Sequence, residues 1–129
     1  MKYMNCLFLD RSDIRQGLQT ILQGVELLKN GTSVYIAPEG TRNTGEELLE
    51  FHAASFKLAE KSKCPIVPVA FNTDEVLEKH MPWIHKAHVI IEYCEPIYTE
   101  DLDRTQRKQL ANNVRDILSE KVKANKKEI

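Results

Sequence analysis

Residues 33–42 read Ser33-Val34-Tyr35-Ile36-Ala37-Pro38-Glu39-Gly40-Thr41-Arg42. The first five are mostly β-branched, aromatic or apolar, which suits a strand, whereas Pro38 cannot donate to a ladder and Gly40 accepts the backbone of a tight turn. A strand over Ser33 to Ala37 is expected, with a charged loop leaving its C-terminal end. On the N-terminal side, Ile14, Leu18, Ile21, Leu22, Val25 and Leu28 share one helical face, with Ser12 or Asp13 as N-cap and Asn30-Gly31 as the stop. Before that helix, Met1 to Leu9 is short and apolar, as a buried strand would be. On the C-terminal side a second helix is expected over Ala53 to Ser62, where Phe56 and Ala59 share a face and Pro65 blocks continuation. Ile66 to Phe71 then reads as a strand whose Pro68 asks for an edge position or a bulge.

Further along, Asp74 to His80 is expected to form a short helix ended by Pro82. His88 to Cys94, with Val89, Ile90 and Ile91 consecutive, reads as a strand covered on both faces. Leu110, Val114, Ile117, Leu118 and Val122 give a last amphipathic helix from near Thr105, so residues 105–129 form a terminal helix with a Lys-rich end. That end, Lys121 to Ile129, reads as a fraying, solvated terminus rather than a contact with anionic lipid. Strands alternating with helices predict an α/β domain, a layered sheet with flanking helices.

The 129 residues fit one domain over 1–129 better than two. With 18 Lys plus Arg against 19 Asp plus Glu there is no general basic field, which argues against nucleic acid as a partner. Cys64 to Phe71 is the longest run free of charged and strongly polar residues, far short of the roughly 20 that a spanning helix needs. The first residues lack the pattern of a secretory signal. Cys6, Cys64 and Cys94 are odd in number and widely spaced, so neither a disulfide frame nor a zinc site is expected, and a reducing, cytoplasmic setting follows. His80, His85 and His88 are irregularly spaced with no further ligands to complete a site; they read as structural, and no metal is expected.

In layered α/β sheets ligands bind where loops leave the C-terminal ends of strands. Two such loops here are charged: Asp10-Arg11-Ser12-Asp13 and Glu39-Gly40-Thr41-Arg42-Asn43. Two readings stand side by side. Arg11 and Arg42 form an anion clamp, since guanidinium forks bind phosphate oxygens bidentately, or they pair with Asp10, Asp13 or Glu39 in surface bridges.

Phe8-Leu9-Asp10-Arg11, Pro38-Glu39-Gly40-Thr41-Arg42 and Ile66-Val67-Pro68-Val69 occur in this order. The chain thereby resembles the lysophosphatidate (1-acyl-sn-glycerol-3-phosphate) acyltransferase family, whose motifs read F-x-D-R, P-E-G-T-R and then V-P-V or I-P-V. The resemblance covers about residues 3–100 and implies a glycerol-phosphate acyltransferase-like fold. It also implies acyltransferase activity in phospholipid biosynthesis. An acyl chain would pass from acyl-carrier protein or acyl-CoA, as co-substrate and with no other cofactor, to the hydroxyl of lysophosphatidate or a related glycerol phosphate. A histidine oriented by an aspartate would take the hydroxyl proton, and the alkoxide would attack the thioester. On this sequence the resemblance makes Arg11, Glu39, Gly40, Thr41 and Arg42 the acceptor-binding set, with Asp10 and His52 as further candidates, and Ile66 to Val69 a strand shaping the pocket near the acyl donor. Peripheral contact with the cytoplasmic face of a membrane is implied for the full-length protein.

The sequence departs from that pattern twice. The family's N-H-x-x-x-x-D signature lies upstream of F-x-D-R, and no histidine here precedes Phe8; five positions beyond His52, His80, His85 and His88 stand Lys57, His85, Ile90 and Tyr93. The catalytic pair is absent, so the chain reads as the C-terminal portion of a longer enzyme, truncated at its N-terminus and inactive alone. At Phe51-His52-Ala53-Ala54-Ser55-Phe56 the family has F-K-x-G-[AS]-x, which places His52 at the lysine position and Ala54 at the glycine. His52 reads equally as a surface or helix-cap residue and as a ligand contact. The competing function is a non-catalytic module binding phosphorylated lipid or a metabolite through Arg11 and Arg42. A hydrolase using Glu39 or Asp10 as base is disfavoured, because no Ser or Cys nucleophile sits beside a His.

Overall fold

A computed structural model describes residues 6–7, 14–43, 45–73, 83 and 88–128. Helix α1, Ile14–Lys29, follows the apolar periodicity of its sequence. Its end is a Schellman motif: Thr32 N–H donates to Leu27 O at 3.0 Å and Gly31 N–H to Leu28 O at 3.1 Å, with Gly31 at φ 85°. The expected N-caps Ser12 and Asp13 lie outside the described residues, as do the Asp74–His80 helix and all of the Met1–Leu9 strand except Cys6 and Leu7.

A 3-10 turn, Ala53–Phe56, leads into α2, Lys57–Ser62, so the expected second helix is present in two geometries. It ends at Lys63, held in the left-handed region at φ 58°. Helix α1 crosses α2 at Gly24, where a Cβ would stand 2.8 Å from Leu58 Cδ1 and 3.2 Å from Leu7 Cδ1. The buried glycine lets the two helices approach, at a cost of about 1 kcal/mol in helix propensity.

Strands β1, Val69–Asn72, and β2, Ile90–Tyr93, pair antiparallel with Val69 opposite Tyr93 and Asn72 opposite Ile90. The pairing resumes beyond Pro68 at an Ile66–Ile97 bridge. Between bridge and ladder, residues 67–68 face residues 94–96, two against three. The expected bulge therefore exists, but its extra residue is on the partner strand, where Cys94 N–H donates to Pro68 O at 2.9 Å.

Helix α3, Arg104–Lys126, begins with a capping box: Gln106 N–H donates to Asp103 Oδ1 at 2.7 Å, and Asp103 N–H to Gln106 Oε1 at 2.9 Å. Its apolar stripe, Leu110, Ala111, Val114 and Leu118, packs with Phe51, Phe56 and Ala70 in one buried cluster.

Three expectations fail. Ser33 to Ala37 forms no ladder among the described residues; it lies beside β1 instead, with the Tyr35 and Phe71 rings edge to face at 6.4 Å. A strand is defined by a hydrogen-bonded neighbour, and among the described residues none is paired with this segment. The second concerns β2, which is not covered on both faces. Ala70, Asn72, Ile90 and Glu92 face α3, whereas Phe71, Ile91 and Tyr93 on the other face are exposed. Third, the Lys-rich end is not frayed from its start at Lys121, although Lys123 and Lys126 to Glu128 are exposed to solvent as expected. Helix α3 runs to Lys126, and its last turns grip β2: Lys121 Nζ lies 2.6 Å from Glu92 Oε1, and Asn125, buried, donates to Glu92 Oε2 at 3.2 Å. Asn72 of β1, itself buried, donates to Val122 O at 3.1 Å.

Candidate functional site

The loop that leaves residues 33–37 opens with a β-turn in which Gly40 N–H donates to Ala37 O at 3.1 Å. Glu39 does not take positive φ, so the turn is of the type I form that Pro at the second position favours, with Gly40 at φ 65° closing it. Beyond the turn, Asn43 Nδ2 donates to Glu47 O at 2.7 Å and Gly45 N–H to Asn43 Oδ1 at 2.8 Å, folding the chain back. Two bonds close the neck of this loop. Leu49 N–H donates to Glu39 Oε2 at 3.3 Å, and His52 N–H donates to Pro38 O at 3.0 Å.

The neck is held from outside by Arg115 of α3. Its Nη2 donates to Leu48 O at 2.6 Å and its Nε to Leu49 O at 2.8 Å and Leu48 O at 3.2 Å. A guanidinium presents donors in a fixed fork, so one side chain holds two successive carbonyls.

Behind the loop is a cavity of about 390 Å³. Its walls are largely apolar: Val34 to Ala37 on one side, Ile66 to Phe71 on the other, with Leu28 of α1, Leu58 of α2 and Val114 of α3 contributing. Glu39, Thr41 and Asn43 supply polar lining. This is the gap left where 33–37 and β1 lie side by side without pairing.

The expected site residues are thus distributed unevenly. Glu39 and Thr41 line the cavity, Gly40 makes the turn, and Arg42 is exposed on the same loop. His52 joins the loop through its backbone and stands at the N-cap of the 3-10 turn; its side chain is exposed and makes no capping hydrogen bond. Asp10 and Arg11 lie outside the described residues, as do His80 and His85. Arg115 was not among the sequence candidates, since a single arginine on the polar side of a helix carries no pattern, and its carbonyl partners are 66 and 67 residues away.

At the far end of β2 a second polar group surrounds Glu92. The Lys121 hydrogen bond holds its carboxyl below the usual carboxylate range, and the Lys121 ammonium is raised in return. Burial, and then the neighbouring Glu92 charge, push the Cys94 thiol up. All three cysteines are unpaired, and among the described residues no group of His, Cys, Asp or Glu is arranged to hold a metal ion. Among the same residues no helix is long and apolar enough to cross a membrane.

Among the described residues, three α-helices around a small sheet, with a charged turn at an apolar cavity, make a layered α/β domain. The chain belongs to the acyltransferase family, whose family model matches residues 1–72. It is 34% identical over 120 residues to the 1-acyl-sn-glycerol-3-phosphate acyltransferase of Saccharomyces cerevisiae, covering 90% of this chain and 40% of that protein. To the Escherichia coli enzyme of the same name it is 31% identical over 124 residues, covering 95% and 50%. The crystal structure of the 1-acyl-sn-glycerophosphate (LPA) acyltransferase PlsC from Thermotoga maritima superposes with a TM-score of 0.78 at 25% identity, covering 97% of this chain and 49% of that one. The chain therefore spans half, or less, of the length of these relatives. The expected glycerol-phosphate acyltransferase-like fold is the one found.

Proposed function

We propose that this chain supplies the acceptor-binding part of a 1-acyl-sn-glycerol-3-phosphate acyltransferase. The reading is carried by one observation: the Glu39-Gly40-Thr41-Arg42 turn, whose motif is the family's, is built at an apolar cavity that Ile66 to Phe71 wall. A lysophosphatidate has the matching two ends. Its phosphate meets the Arg42 fork at the exposed loop, and acyl methylenes enter the cavity, each worth about 0.8 kcal/mol when buried. By its place in the family motif Arg11 joins Arg42 on the phosphate, with Asp10 and His52 as further candidates.

The reaction forms an ester bond from the acceptor oxygen to the acyl carbon and breaks the carbon–sulfur bond of acyl-CoA or acyl-carrier protein; the hydroxyl proton ends on the released thiol. Proton removal belongs to the His of N-H-x-x-x-x-D, a motif this sequence does not contain. The chain alone is accordingly inactive, since a general base supplies about 10²- to 10⁴-fold. In the complete enzyme, contact is with the cytoplasmic face of a membrane.

The test measures free thiol from acyl-CoA and lysophosphatidate, with this chain alone and with the chain joined to a segment bearing the missing motif. Thiol release should require the joined form, and full turnover by the chain alone would overturn the reading. In the joined form Arg42→Ala should raise the Michaelis constant for acceptor by about 10- to 150-fold, the equivalent of roughly 1.5 to 3 kcal/mol, and leave that for the donor unchanged. Lysine at 42 should recover part of the loss.

A further inference from the structure

We propose that Arg115 is a positioning residue for the acceptor loop, acting from α3 through the neck of the loop without touching substrate. The inference rests on the reading of Glu39 to Arg42 as the phosphate site. Four observations carry it. Arg115 makes three hydrogen bonds to the carbonyls of Leu48 and Leu49, at 2.6, 2.8 and 3.2 Å. The amide of the same Leu49 donates to Glu39 Oε2. Glu39 stands one residue before Gly40, whose positive φ sets where Thr41 and Arg42 emerge. Leu48, between these contacts, packs against the buried cluster that includes Leu110, Val114 and Leu118 of α3. A chain of bonded groups thus runs from α3 to the turn, and its first link is one guanidinium.

Arginine is an unusual choice for a purely structural tie. Among the described residues its partners are neutral carbonyls, with no carboxylate to offset its charge. A long polar chain loses more rotamer freedom on fixing than a leucine would, so packing alone does not call for it. What the fork does provide is a fixed angle between two adjacent peptide groups, which sets the direction of the Leu49 N–H. Without it, Leu49 and the Glu39 carboxylate are free to move apart, and Arg42 must be ordered again each time a phosphate binds. Such reordering appears as lost affinity.

The test uses the 129-residue chain, labelled with ¹⁵N and titrated with sn-glycerol 3-phosphate, in the unaltered form and as Arg115→Ala, Arg115→Lys and Arg42→Ala. Arg115→Ala should weaken binding on the order of tenfold and speed amide exchange at Leu49, while the β1–β2 ladder amides of Ala70 and Glu92, a hydrogen-bonded pair, keep their protection. Arg115→Lys keeps the charge and the methylene stem, so it folds, and it should fall between the two because one ammonium cannot reproduce the fork. A merely structural arginine would lower the melting temperature and leave the affinity of the folded protein unchanged; that result, with Arg42→Ala still weakening binding, overturns the positioning role and spares the site. Lysine restoring full affinity would also overturn it, since charge alone would then suffice. Unchanged affinity in Arg42→Ala, or no saturable binding by the unaltered chain, overturns the site reading and this proposal with it.

Discussion

Replacing Asn72 by Asp should convert a stable hairpin–helix contact into one governed by pH. Asn72 is 2% exposed, and its Nδ2 donates to Val122 O at 3.1 Å. An ionised aspartate there would set a carboxylate oxygen against a carbonyl oxygen with no proton between them, shut away from water. The group escapes by taking a proton, after which its hydroxyl donates to Val122 O as the amide did. Its native pKa therefore rises above the ordinary value of about 3.9, and the native state holds a proton that the unfolded chain releases. Stability then falls as pH rises, by about 1.4 kcal/mol per unit above that value, until the native group ionises. If it stays protonated to neutrality the loss at pH 7 is about 4 kcal/mol, a large part of the roughly 5 to 15 kcal/mol that holds a domain together. Urea unfolding followed by circular dichroism, at steps from about pH 4.5 to 7.5, measures it; subtracting the unaltered protein at each step removes the titration of Glu92. Asn72→Ala is the control and should lose about 1 to 3 kcal/mol with no pH slope. Equal losses for Asn72→Asp at both ends of the range would refute the reasoning, because they would mean that water reaches position 72.

Lys63→Gly should raise stability by about 1 kcal/mol, since a left-handed lysine is strained and its 3.5 Å contact with Glu100 is too exposed to offset this; thermal melting should show a gain of a few degrees. Asp103→Ala removes both bonds of the capping box and should cost about 0.5 to 2 kcal/mol in urea unfolding. The Glu92–Lys121 contribution is present at neutral pH, fades as pH falls through the lowered Glu92 value below about 4.3, and fades again as pH rises through the raised Lys121 value above about 10.4; Lys121→Met should flatten both limbs of the stability profile. Glu92→Gln should lower the pH at which Cys94 is alkylated, because it removes a negative charge that raises the thiol, and mass spectrometry of labelled peptides checks this. The bare face of Phe71, Ile91 and Tyr93 should bind an environment-sensitive dye in the folded state.

The helices were legible because their information is local. Six apolar residues on one face and Asn30-Gly31 as a stop define α1 without reference to anything outside it, and the same holds for the α3 stripe. Strands depend on neighbours that no local pattern names. Val89-Ile90-Ile91 reads as an interior strand, yet Ile91 is half exposed because cover comes from α3 on one side only. Ser33 to Ala37 has strand composition without a ladder. The site divided in the same way. Glu39 to Arg42 stood out as a motif, whereas Arg115 acts across 66 residues of chain, and only folding brings it to the loop.

Helix α3 holds the Glu39–Arg42 loop through Arg115 and the β1–β2 pair through Val122, seven positions apart. At about 1.5 Å per residue these grips are roughly 10 Å from each other on one stiff rod. Loop, rod and strand pair therefore make a single mechanical body, anchored at its start by the Asp103 box. Helix α1 is attached differently, resting on α2 across the Gly24 crossing. Opening fluctuations should follow this division: α1 should move more readily, while the Glu39–Arg42 loop and the β1–β2 pair should keep their mutual distance, and a loosened α3 would release both at once. Leu28 of α1 lines the cavity together with β1 and α3, so its width, rather than the shape of the loop, should vary most in such openings.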